Sequence, residues 1–137
     1  MKSLLMCATV AVLGLSAGPC FALTIDFATG QNPSGTISTV GDTQDVNWKA
    51  SNANNYKSAP NSYVVDPTNA DWFGGWFANG PNSSWIAPDP DHSNNGNFTL
   101  TYTFDLTGYD LSSAAFTGMQ WSIDDSGCVA LNGNTLD

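Results

Sequence analysis

The chain contains no arginine and no glutamate, and its only cationic side chains are Lys2, Lys49 and Lys57. Twelve aspartates carry all the negative side-chain charge, so the formal net charge is −9 over 137 residues. A chain this poor in basic groups lacks the phosphate contacts on which nucleic-acid binding depends, and that class of partner is excluded. Histidine occurs once, at His92, inside a Pro/Asp/Asn loop. One such residue gives no basis for a nucleophile–histidine–acid set, and no cysteine–histidine grouping has metal spacing. The expectation is a protein that is not an enzyme. Apolar residues at three-and-four spacing with helix caps are also missing after the first twenty or so positions, which argues against a helical fold.

Long hydrophobic runs are scarce too. The longest, from Leu4 to Leu15, is shorter than the roughly 20 residues a membrane span requires. Lys2 precedes it. Gly14 lies near its end, Ser16, Ala17, Gly18 and Pro19 follow, and Cys20-Phe21-Ala22 places small residues at the positions a signal peptidase reads. Residues 1–22 are therefore predicted to be a secretory signal peptide cleaved after Ala22, leaving residues 23–137 as one exported domain without a membrane span. Loss of Lys2 takes the net charge from −9 to −10. Cys7 and Cys20 leave with the leader. Cys128 remains as a lone thiol in a strand-like stretch, so no internal disulfide is expected even in an oxidising compartment.

What is present reads as all-β. Short apolar stretches are separated by Gly, Pro, Asn, Asp and Ser, the pattern of an antiparallel sandwich. The predicted strands are Thr24–Phe27, Thr36–Val40, Val46–Lys49, Tyr63–Val65, Ser84–Ile86, Phe98–Leu106, Ala114–Ile123 and Cys128–Leu131. Phe98, Leu100, Tyr102, Phe104 and Leu106 alternate with Thr99, Thr101, Thr103 and Asp105, which puts an apolar and a polar face on one strand. Residues 115–123 alternate similarly, so the two stretches are expected to pair antiparallel across Thr107–Asp110. Asn132-Gly133 predicts a type I′ hairpin turn, because both residues tolerate positive φ. Only four residues follow that turn, so a hairpin cut short is expected, with an unpaired strand edge open to self-association.

Three groupings could carry binding chemistry. Trp72, Phe73, Trp76, Phe77 and Trp85 cluster around Gly74-Gly75. Such rings either fill a core or, exposed on a rigid scaffold, stack on the faces of sugar rings while polar neighbours orient the hydroxyl groups. Trp72, Trp76, Trp85 and Asn79 are the candidate ligand-binding residues. Asp89, Asp91 and the Ser/Asn residues that follow offer oxygens suited to calcium, although the spacing departs from an EF-hand loop. Asp124-Asp125 forms an acidic turn that is a second candidate calcium position. Asn82-Ser83-Ser84 and Asn97-Phe98-Thr99 match the N-glycosylation pattern.

Several segments occur in a telling order. Tyr63-Val64-Val65 precedes Trp76-Phe77-Ala78-Asn79 and Ser83-Ser84-Trp85-Ile86-Ala87-Pro88. Phe98-Thr99-Leu100-Thr101-Tyr102-Thr103-Phe104-Asp105-Leu106-Thr107-Gly108-Tyr109-Asp110 comes next, then Trp121-Ser122-Ile123-Asp124-Asp125-Ser126-Gly127 and Leu131-Asn132-Gly133. Over about residues 24–137 this order resembles secreted Gram-negative bacterial proteins that end in a PEP-CTERM sorting signal. The resemblance implies a galactose-binding-like jelly roll, a cell-surface or exopolysaccharide-matrix role, polysaccharide as partner and no catalytic residues. Such proteins continue beyond the Leu-Asn-Gly turn with further strands, a Val-Pro-Glu-Pro motif, an apolar span and a basic tail. None of these occurs here, so a sandwich incomplete at its C-terminal side is expected. The alternatives are a structural surface protein with no specific ligand, or an accessory domain of a glycoside-active enzyme.

Overall fold

The computed structural model describes residues 5–13, 24–56, 59–66, 77–89, 96–107, 109, 111–115, 120–123 and 126–136. The protein is all-β, as the sequence predicts. Its strands are β1 (Leu5–Leu13), β2 (Gln44–Ser51), β3 (Asn61–Val64), β4 (Ile86–Ala87), β5 (Phe98–Asp105), β6 (Ser126–Leu131) and β7 (Asn134–Thr135). Among the described residues the only helical element is a 3-10 turn at Leu111–Ser113. The strands form one sheet in the order β4-β3-β2-β5-β1-β6-β7. Every pairing is antiparallel except the two made by β1, which runs parallel to both β5 and β6.

The core lies on one face of β2 and β5. Antiparallel register sets Trp48 opposite Tyr102 and Ala50 opposite Leu100, so their side chains share that face. Phe98 and Leu100 are buried there, while Thr103 and Asp105 on the alternate face are exposed, as the period-two pattern requires. Thr99 and Thr101, predicted on the polar face, are half-buried. Loops complete the core. Phe27, in a predicted strand that is instead irregular, sets its ring edge-on to Tyr102 at 5.1 Å and to Phe104 at 5.2 Å. Tyr56, from the loop after β2, meets Phe98 at 5.5 Å in the same T-shaped manner.

Asp45 organises an irregularity in β2. The β2–β3 register runs Gln44 to Tyr63 and Asp45 to Ser62, then jumps to Lys49 opposite Asn61. Four steps along β2 match one along β3, a bulge that strips residues 46–48 of ladder partners on that side. Main-chain groups of all three are bonded elsewhere, while the buried indole N–H of Trp48 has no partner among the described residues. Val46 N–H donates to the Gln31 carbonyl at 3.0 Å, and Ser62 Oγ donates to the Trp48 carbonyl at 2.7 Å. Asp45 Oδ1 accepts the N–H groups of Asn47 at 2.8 Å and Trp48 at 3.0 Å, and Oδ2 accepts that of Gly30 at 2.5 Å. This carboxylate is fully buried yet well bonded, which is how a buried charge is tolerated.

Two further predicted strands come out differently. Thr36–Val40 supplies only an isolated bridge between Ile37 and Gln31. The Asn32 side chain accepts N–H bonds from Ser34 at 3.0 Å and Thr36 at 3.2 Å, so local side-chain bonding competes with a ladder. The described residues of the 114–123 stretch belong to no strand. These described residues do not pair with β5, both edges of which are taken by β2 and β1. Residues 5–13, which lie within the Leu4–Leu15 stretch expected to be the apolar core of a leader, form the strand that fills this place.

The C-terminal hairpin follows its turn residues closely. Asn132 and Gly133 have φ of 50° and 81°, as a type I′ turn requires. Leu131 then faces Asn134 and Ala130 faces Thr135, and Leu136 N–H donates to the Val129 carbonyl at 2.8 Å. The short returning segment thus pairs with β6.

Candidate functional site

Trp85 and Phe77 form the best-defined candidate surface. Trp85 stands just before β4 and extends the β3–β4 ladder, its carbonyl accepting Val65 N–H at 2.8 Å. Its own N–H donates to Asn79 Oδ1 at 2.8 Å, and its indole Nε1–H donates to the Phe77 carbonyl at 2.8 Å. Asn79 Nδ2 donates to the Val65 carbonyl at 2.7 Å. One side chain therefore ties three segments together: the residues after β3, the 77–80 stretch and the entry to β4. A turn in which Gly80 N–H donates to the Ser83 carbonyl at 3.0 Å closes the stretch.

The next residue back is equally fixed. Ser84 is buried and donates its N–H to the Thr29 carbonyl at 2.9 Å and its hydroxyl to the Ser38 carbonyl at 2.7 Å. The Thr29 hydroxyl donates in return to the Ser84 carbonyl. Gly30 lies against this segment with φ of +91°, and a Cβ there would fall 2.8 Å from Ser84 Cβ. Only glycine suits both the backbone conformation and the close approach.

On this braced scaffold Phe77 is 81% exposed. Trp85 is half-buried, with its indole edge held at the Phe77 backbone. A large apolar ring this exposed gains little from burial on folding and is available for contact with a flat apolar surface. Of the residues singled out from the sequence, Trp85 and Asn79 are thus brought together. Asn79 serves first as a clamp, and one amide hydrogen and one lone pair remain beyond its two bonds. Trp72 and Trp76 lie outside the described residues. Sequence reading placed Phe77 in the aromatic cluster without singling it out. Alternation does not mark exposure in a segment that is not a strand.

The acidic candidates divide similarly. Asp91, Asp124 and Asp125 lie outside the described residues. Asp89 is buried and close enough to act on the Tyr56 phenol, whose pKa is raised chiefly by burial and further by the Asp89 charge. Among the described residues no group of three or more His, Cys, Asp or Glu side chains is placed to hold a metal ion. The aspartate with the clearest role is Asp45, which sequence reading passed over. Its nearest signal was its position one residue before a predicted strand, with Asn47 two residues on.

Tyr102 is also raised, by burial first and then by the charges of Asp26 and Asp45. Asp105, fully exposed, is lowered by its hydrogen bonding with Thr107, whose N–H donates to Oδ1 at 2.7 Å. Among the described residues no helix is long and apolar enough to cross a membrane. No protein-family model matches the chain, and no curated protein and no solved structure matches it either.

Proposed function

We propose that the protein is an exported, non-catalytic β domain that binds glycan through the face carrying Phe77 and Trp85, as a component of a cell-surface or extracellular polysaccharide matrix. The leader-like residues 1–22 support export, and the ordered resemblance to PEP-CTERM proteins supports a jelly-roll of galactose-binding type. The observation that carries the binding reading is the 81% exposure of Phe77 beside a tryptophan fixed by three hydrogen bonds. An indole fixed by a hydrogen bond, as that of Trp85 is, loses little conformational entropy when a sugar ring stacks on it. The remaining polar capacity of Asn79 is of the kind that orients hydroxyl groups.

A glycan array with the full chain tests this reading. Binding to at least one glycan class is expected, with loss in Phe77→Ala and an unchanged melting temperature, since that ring contributes little burial. Trp85→Phe keeps an aromatic face but removes the indole donor, and weaker binding is expected from it. Absence of binding to every glycan would overturn the proposal in favour of a structural surface protein without a specific ligand. Calcium as a cofactor is tested by melting temperature against calcium concentration, because an ion that binds only the folded state raises it. A flat response would remove Asp89, Asp91, Asp124 and Asp125 from consideration.

A further inference from the structure

β1 occupies an unusual place for a segment that reads as a leader. Its Cα register against β5 runs from Met6 opposite Phe98 to Leu13 opposite Asp105, and against β6 from Leu5 opposite Ser126 to Val10 opposite Leu131. β5 and β6 are not neighbours in the sheet, so β1 is the strand through which the β6–β7 hairpin joins it. The sequence Leu-Met-Cys-Ala-Thr-Val-Ala-Val-Leu has no charge, proline or glycine. Near-continuous apolar composition of this kind is what a strand inside a parallel ladder shows. The same residues are the apolar core that an export apparatus reads. One segment cannot be held between two strands and be removed as a leader at the same time.

We propose that β5 and β6 form a strand-acceptor slot, and that its occupant is the chain's own Leu5–Leu13, bound parallel to both walls. The leader completes the sheet in the chain that carries it, and its removal opens the slot. Two edges are then bared at once, Phe98–Asp105 and Ser126–Leu131, each a row of unpaired N–H and C=O groups. An edge of this kind takes up an extended segment through main-chain bonds, with side-chain alternation setting register.

The register supplies its own probe. Cys7 stands opposite Cys128 on adjacent strands. Neighbouring strands lie about 4.8 Å apart, within the Cα separation that a disulfide bridges. In the full chain carrying Cys20→Ser, mild oxidation with diamide is expected to yield a Cys7–Cys128 crosslink within one chain, read by peptide mass mapping. The same crosslink found only between two chains would overturn the assignment of the slot to the chain's own leader. No crosslink, while both thiols remain reactive to an alkylating reagent, would overturn the proposal.

A second measurement does not depend on thiols. Thr9→Pro removes a main-chain donor at the middle of β1. Amide exchange in 98–105 and 126–131 is expected to accelerate by roughly tenfold or more, while that of 44–51 and 61–64 changes less. A biotinylated peptide with the sequence of residues 5–13 should then capture the Thr9→Pro chain but not the parent. Unchanged exchange in both walls, or equal capture of the two chains, would overturn the proposal.

Discussion

The two sides of the sheet are held by different means. Across β2, β3, β4 and the loop before them, specific side chains fix the backbone: Asp45 on three N–H groups, Ser62 on Trp48, Ser84 on Ser38, and Asn79 on Val65 and Trp85. Where β1, β6 and β7 meet, the described order includes main-chain ladders and one Asn-Gly turn. The difference teaches where sensitivity to mutation should lie. A buried carboxylate that satisfies three donors is expensive to lose, because each stranded N–H keeps its desolvation cost. A ladder is indifferent to most side chains and is broken mainly by losing a whole strand or its turn.

The largest expected effect separating the two sides is that of Asp45→Ala. It leaves three N–H groups without their acceptor, and a loss of about 3 kcal/mol or more is expected in denaturant unfolding. Asp45→Asn keeps one acceptor oxygen and should fall between the variant and the parent. A loss below about 0.5 kcal/mol for Asp45→Ala would show that the bulge is not held as described.

Gly30→Ala comes next. It combines a φ of +91° with a Cβ placed 2.8 Å from Ser84 Cβ. A loss of about 2 kcal/mol is expected, together with weaker glycan binding, since Ser84 braces Trp85. Gly133→Ala is the matching change on the other side. Its φ is +81°, but a Cβ there meets nothing within 4 Å, so only backbone strain remains. About 1 kcal/mol is expected, with faster amide exchange confined to the hairpin. Equal losses at Gly30 and Gly133 would erase the contrast between a crowded and an open glycine position.

Smaller effects follow from titration. The Tyr102 and Tyr56 pKa values are raised in the folded chain, so above about pH 10 the unfolded chain releases phenol protons that the folded chain retains. The stabilisation is full below that pH and is lost as pH rises through the raised values. Tyr102→Phe and Tyr56→Phe should each flatten the alkaline decline of the melting temperature. Asp105 is the smallest case and has the opposite sign. Its lowered pKa gives a contribution present above the ordinary carboxylate range and lost as pH falls through the lowered value. Asp105→Asn should remove only a slight part of the acid dependence, because the group is fully exposed.

Local rules made much of the fold legible. The β5 alternation, the Asn132-Gly133 turn, β2, β3 and β6 all follow from period-two patterning or from residues that accept positive φ. Loop chemistry misled the reading where side chains bond their own backbone, as at Asn32, and where extended residues such as Phe27 serve the core without joining a ladder. The candidate surface was half legible. Aromatic and Asn-rich composition pointed to the 72–85 region, yet the exposure of Phe77 and the clamping role of Asn79 depend on partners at Val65 and Trp85.

By itself the sequence determined the β class, the acidic and cation-poor surface, the hairpin turn and an apolar segment near the start. These depend on residue type and on neighbours a few positions away. Tertiary structure alone decided that Asp45 is a buried hub rather than one more surface aspartate, because its three donors come from Gly30, Asn47 and Trp48. It also decided that residues 5–13 stand between β5 and β6. A largely apolar segment has the composition both of a leader core and of a strand inside a parallel ladder, and only the presence of two facing edges distinguishes the second role.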